Sequence, residues 1–396
     1  MAQTTAPHGN PTDPYRIFFP LGALLGIAGV LIWPLYYWNI IGWFDGRAHA
    51  FVQTDCFLYA FVVGFLWTAI PRFTGAAGPR RFTQVFVASL IVAQAFAFEL
   101  RQFSIGHALF IISHMVVIAV AVRCFIQRRN PPPETFVLVG LGMLSGLIAA
   151  IVNAGISMAW IPPAFDLMGK RLMTEGMTLL LVLGVGGFLG PRLLGFAQLP
   201  NFQNIGNQTG MTKPALLMKW SRSLYAAAGL LLLLSIIIEY AWHLPMLAWA
   251  RTGIVTALVM GNIRPYRAPL TRTTLSWCVW TAFWLLVAAS WLVVLLPKYR
   301  IDLLHVMFMG GFTLLVLAIG TRVVLSHGGH PLAQEQRSWP LRIGLTAVLI
   351  AMFARLGAPL APNSYFGHLA WGAIFWIAGI LIWGTFILRR IRSSVQ

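Results

Sequence analysis

Apolar residues run through this chain in stretches of about 20, the length an α-helix needs to cross a bilayer, and short polar breaks separate them. Such windows begin near Ile17, Ala50, Thr83, Ser104, Thr135, Leu172, Trp220, His243, Thr273, Leu303, Pro340 and Gly367. The pattern predicts about twelve transmembrane helices. The breaks carry turn and charge signals, such as RRNPPP at 128–133 and HGGHP at 327–331. The longest polar stretch, 191–219, has the composition of a loop, so no soluble domain fits anywhere. The predicted architecture is all-α: one polytopic integral membrane helical bundle over 16–390, with a disordered tail at 1–15 and a short C-terminal tail at 391–396.

Composition sharpens the class. Of 396 residues 58% are hydrophobic and only 10% charged, with mean hydropathy +0.76, which excludes an ordinary soluble protein and makes membrane lipids its surroundings. A formal net charge of +18 would suit nucleic acid. The basic residues, however, lie in short clusters between apolar runs, the distribution of membrane loops, and a nucleic-acid partner is rejected. Cys56, Cys124 and Cys278 are far apart inside apolar segments and suggest no disulfide framework.

Sorting the basic residues by loop parity sets the orientation. Loops after even-numbered helices and the C-terminus hold nineteen, among them Arg72, Arg80, Arg81, Arg123, Arg192, Lys213, Lys219, Arg322 and Arg337. Loops after odd-numbered helices hold seven: Arg47, Arg101, Lys170, Arg171, Lys298, Arg300 and Arg355. By the positive-inside rule both termini are cytoplasmic, and the membrane expected is the bacterial inner (cytoplasmic) membrane.

With that orientation His49, His107, His243, His305 and His368 each open an even-numbered helix at the outer side, while His327 and His330 lie in a cytoplasmic loop and His8 in the tail. His114 follows His107 by seven residues, on the same helical face and about 10 Å deeper. An imidazole at that depth needs a partner, and ionisable groups within a membrane usually serve a pathway, a relay or a cofactor. Histidines at helix ends are also common interfacial residues, and Cys56 and Met309 read equally well as packing. On the second helix His49, Gln53 and Cys56 share a face at i, i+4 and i+7, with Asp55 adjacent; on the tenth, His305 and Met309 stand at i, i+4. Imidazole, thiolate and thioether suit haem iron and copper, so His49, His305, His114, Cys56 and Met309 are the candidate metal ligands. Asp55, Glu175 and Glu239 are the carboxylates available to relay protons. Matching positions of these groups are consistent with a six-plus-six repeat, 16–197 and 220–390.

Several segments together resemble the NnrS family of bacterial membrane proteins. They are YRIFFPLGAL at 15–24, His49 followed by GFLWTAIPRFTG at 64–75, GGFLGP at 186–191, and His305 with GGFTLLVLAIGTRVVLSHGGHPL at 310–332. The resemblance covers most of the chain in topology and about a third in motifs. It implies a haem-containing and copper-containing membrane protein of nitric oxide metabolism or the nitrosative-stress response, with heme b and copper as cofactors and nitric oxide or another small diatomic as partner. His49, His305 and His327 match histidines of the family's patterns, and Arg322 the arginine between the last two. The chain departs from the family where HAFVQ replaces HAHEM at the start of the second helix, so Phe51 and Val52 stand for a histidine and a glutamate. Ser326 and His330 likewise stand for a glycine and an arginine. His107, His114 and His368 are then the imidazoles available to complete a cofactor site. Reduction of nitric oxide is the enzymatic reading; no residue pattern indicates an electron donor. A twelve-helix transporter without redox cofactor competes with it, as does a haem-binding sensor or assembly protein without turnover. A haem-copper oxidase subunit would need an adjacent histidine pair within an apolar helix, which is absent from the sequence.

Overall fold

The computed structural model describes residues 12–197, 221–336 and 338–393. The tail through Pro11 with His8, the expected helix start at Trp220, Lys213, Lys219, Arg337 and the last three residues lie outside the described residues. Twelve helices follow one another: α1 Tyr15–Tyr37, α2 Gly46–Thr74, α3 Arg81–Glu99, α4 Phe103–Ile126, α5 Phe136–Ser157, α6 Pro163–Leu193, α7 Arg222–Ala241, α8 Leu247–Ile263, α9 Thr274–Leu295, α10 Pro297–His327, α11 Trp339–Gly357 and α12 Pro362–Arg392. No β-strand occurs among the described residues. The chain is a polytopic helical membrane protein. Among the described residues eleven helices are long and apolar enough to span a membrane, and α8 is shorter.

The short helix corrects one expectation. His243 does not open α8 but sits exposed in the preceding turn with φ 54°, and Pro245 follows before the helix begins. At about 1.5 Å per residue α8 reaches roughly 25 Å, less than the hydrocarbon thickness.

Three helices stand inside the others. In α2 and α6, 83% and 78% of the apolar window is buried, against 28% in α4. The third is α10, which packs against α2, α9, α11 and α12. The nine remaining helices form a ring, closed where α1 meets α12 on one flank and α3 on the other. Each inner helix opens into a π-helical turn in its N-terminal half, the half that loop charge predicts to be outer: Val52–Leu58, Leu172–Thr178 and Val306–Thr313. Each also carries an arginine near its inner end, Arg72, Arg192 and Arg322. These landmarks recur every four helices.

Small residues let the helices close on one another. Gly22, Gly26 and Gly29 give α1 a smooth strip at i, i+4, i+7, and a Cβ at Gly22 or Gly26 would fall within 2.8 Å of the Phe61 or Phe57 ring of α2. That contact also uncovers α1 carbonyls: Gln53 Nε2 donates to Gly26 O at 2.8 Å and His49 Nδ1 to Gly29 O at 2.7 Å. Gly75, with φ 70°, ends α2 in the left-handed region that glycine adopts freely.

Gly344 of α11 and Gly379 of α12 face each other so closely that a Cβ on Gly379 would lie 2.8 Å from Gly344 O. Backbone cannot swing aside as a side chain can, so Gly379→Leu must part the two helices, at about 1–3 kcal/mol. Thermal unfolding in detergent should show a clear fall; an unchanged midpoint would mean these helices are not in backbone contact.

Candidate functional site at the outer ends of the inner helices

The outer end of α2 is fixed by Asp45, whose side chain accepts from the Arg47 and Ala48 amides at 2.8 and 3.2 Å and so caps the first turn. One turn on, half-buried His49 leans edge-on against Trp33, 5.3 Å between ring centroids. The Gly29 carbonyl can only accept, so Nδ1 carries the proton and Nε2 keeps its lone pair. His305, at the first turns of α10, repeats the arrangement: Nδ1–H donates to Ile301 O at 2.7 Å. Arg355 of α11 reaches the same turns of α10. Arg355 is held by Asp302 at 2.5 Å and lies over the Tyr365 ring. His368 belongs to the same end; its Nδ1 donates to Ser364 O at 3.1 Å, and its ring lies against Gly357, two residues from Arg355.

His107 and His114 are both fully buried, as a shared helical face requires, but they are used differently. His114 Nε2–H donates to Met143 O at 2.8 Å and its Nδ1 accepts from the Tyr59 hydroxyl at 3.3 Å, with Phe110 stacked on the ring. Both nitrogens therefore have protein partners. His107 has neither nitrogen hydrogen-bonded; its Nδ1 is 3.9 Å from Asp55 Oδ2, itself buried and unpartnered, and Phe51 and Phe98 wall the ring. Asp55 Oδ1 accepts from Thr54 Oγ1 at 2.6 Å. Cys56 turns toward Gln94 of α3, away from the side on which His49 and Gln53 meet α1, because the π-turn between them breaks the expected common face. Met309 lies in the π-turn of α10, packed on the apolar core.

His327 is at the opposite end of α10 from His305, about 33 Å along the axis, beside Tyr15. Arg322 pairs with Glu335. These two matched positions therefore lie in the inner half, apart from the outer imidazoles.

Glu175 and Glu239 join a network that sequence reading missed. Arg251 of α8 donates through Nε to Glu175 Oε2 and through NH2 to Glu239 Oε2, both at 2.7 Å, and through NH1 to Ser235 Oγ at 3.3 Å. Arg171 donates through NH1 to both Glu239 oxygens at 3.0 Å. Arg171, Arg300 and Arg355 count as loop charges in the sequence, yet all are largely buried. Arg251 was the one findable signal, a lone cation inside the apolar run MLAWARTGIV.

The model for the family described as NnrS protein matches residues 12–392. The chain belongs to the NnrS family. It is thus a nitric-oxide-associated multi-pass membrane protein. No curated protein matches the chain.

Against this NnrS chain the two cofactor expectations fare differently. Among the described residues no three His, Cys, Asp or Glu side chains gather closely enough to hold a metal ion, so the donor set does not fit a copper ion held by protein ligands alone. Haem asks for less, because the porphyrin supplies four ligands and the protein one or two axial groups. Two imidazoles from separate helices, each with Nδ1–H committed to a backbone carbonyl, meet that requirement.

Removing Arg251 would leave Glu175 and Glu239 buried with less than their present compensation. Arg251→Met should cost about 3–5 kcal/mol in detergent unfolding. A loss below about 1 kcal/mol would show these pairs behaving as solvated ones.

Proposed function

We propose that this protein binds haem at the outer ends of its inner helices, where His49 and His305 are the residues that would hold it, and that the site takes nitric oxide or another small diatomic. The supporting observation is the matched tautomer. In both residues the proton sits on Nδ1, and Nε2 is left as a donor for iron. The arginine-rich loops face the cytoplasm of a bacterial cell in this reading, which puts the site near the periplasmic side of the inner membrane.

The bound haem would supply an iron able to coordinate a diatomic and to exchange an electron. The chain's own residues provide the rest. Gly29 O and Ile301 O fix the orientation of the two rings, and Trp33 and Phe308 cover their edges. His368 presents a third Nε2 at the same end. Asp55 Oδ2 and His107 Nδ1 stand 3.9 Å apart as a buried pair between α2 and α4, each without a hydrogen-bond partner. Glu175 and Glu239 are already acceptors of guanidinium protons, so Asp55 is the better relay group of the three.

Purification in mild detergent followed by reduced-minus-oxidised visible spectra and metal analysis tests this. His49→Ala and His305→Ala should each lose haem or change its ligand-field bands. His114→Ala should retain it, because both of its nitrogens are spent on Met143 and Tyr59, and exposed His243→Ala should be silent. A colourless preparation, or full haem in both His49→Ala and His305→Ala, would overturn the assignment.

A further inference from the structure

A second chemistry lies between α6, α7, α8, α9 and α10, on the other side of α10 from α2. A cavity of about 290 Å³ opens there, lined at one end by Arg171, Arg251 and Arg300 with Glu175 and Glu239. Val293, Val294, Leu304 and Met307 form its apolar wall. Three guanidiniums face two carboxylates, so one positive charge is uncompensated. Arg251 and Arg171 use theirs on the two glutamates. Arg300 does not: its closest carboxylate oxygen, Glu175 Oε1, is 3.8 Å away, and its Nε is buried with no hydrogen-bond partner. Arg171 Nε is also buried without one.

A guanidinium removed from water without a partner is costly, and its planar fork matches an anion that presents two oxygens from one planar centre. We infer that this cavity is a binding site for a small monovalent planar oxyanion, a carboxylate or an oxyanion of nitrogen, captured by Arg300. One such charge balances the three arginines against the two glutamates and supplies acceptors for the orphaned Nε groups. The wall of valines, leucine and methionine leaves room for a short apolar tail and offers no second cation, which disfavours dianions.

The site needs no haem, so its test stands apart from the preceding one. Thermal stabilisation of the full-length protein in detergent is measured with nitrite, nitrate, acetate, butyrate, sulfate and chloride at equal ionic strength. At least one planar monoanion should raise the midpoint saturably above chloride, with sulfate no better than chloride. Butyrate above acetate would identify a carboxylate using the apolar wall; nitrite or nitrate above both would identify the inorganic anion. Arg300→Gln should weaken the effective anion by about tenfold or more, the value of one charge-assisted hydrogen bond. Val294→Phe, which fills the cavity and leaves every charge in place, should abolish the effect. The inference fails if no planar anion exceeds chloride, or if the shift persists in either variant.

Discussion

A backbone amide in hydrocarbon has no water to turn to, so a membrane helix must satisfy its own hydrogen bonds along its whole length. The π-turns of α2, α6 and α10, like the one at Val259–Ile263 that ends α8, are departures this rule permits. They keep the backbone bonded while inserting a residue, and they rotate everything that follows relative to what came before. In α6 and α10 the turn begins immediately after Arg171 and His305, and in α2 three residues after His49. His49, Arg171 and His305 therefore sit on a regular turn, Asp55 and Glu175 sit inside the π-turns, and the apolar stretch below is re-aimed to fill the bundle centre. Cys56, within the π-turn, ends up at α3 while His49 stays on α1, although straight helical spacing would put them on one face.

The two halves of the membrane are treated differently. At the inner ends, the arginines of the inner helices are anchored: Arg72 by Asp13 at 3.0 Å, Arg322 by Glu335, and Arg192 by the Phe188 carbonyl and ring. Arg322, which the family motif singles out, reads here as one of three equivalent anchors. At the outer ends the polar groups are left partly uncommitted, in the imidazole Nε2 atoms of His49, His305 and His368 and in the Nε of Arg300. The committed charges thus lie at one end of the bundle and the uncommitted polar atoms at the other.

Helix number was legible because it depends on long apolar windows, which local sequence carries. The eighth helix was legible in position but not in length, since Pro245 and the left-handed His243 shorten it from one end. The ion network was not legible. Arg251 reaches Glu175 and Glu239 across 76 and 12 positions, and counting loop arginines assumes they are solvated, which Arg171 at 8% side-chain exposure is not. The tautomers of His49 and His305 were equally hidden, because Gly29 and Ile301 matter only through carbonyls that no sequence pattern marks.

The first turns of α10 carry the most constraint in the molecule. Within six residues Arg300 faces Glu175 of α6, Asp302 holds Arg355 of α11, and His305 carries the imidazole. At about 100° per residue Asp302 and His305, three positions apart, leave the helix on one face, and Arg300 leaves it on the opposite side. Any rotation of α10 that shortens one ion contact must therefore lengthen the other, and the two together fix both its azimuth and its depth. That is why a single helix can border the imidazole end on one side and the arginine cavity on the other without either set of groups collapsing onto its neighbour.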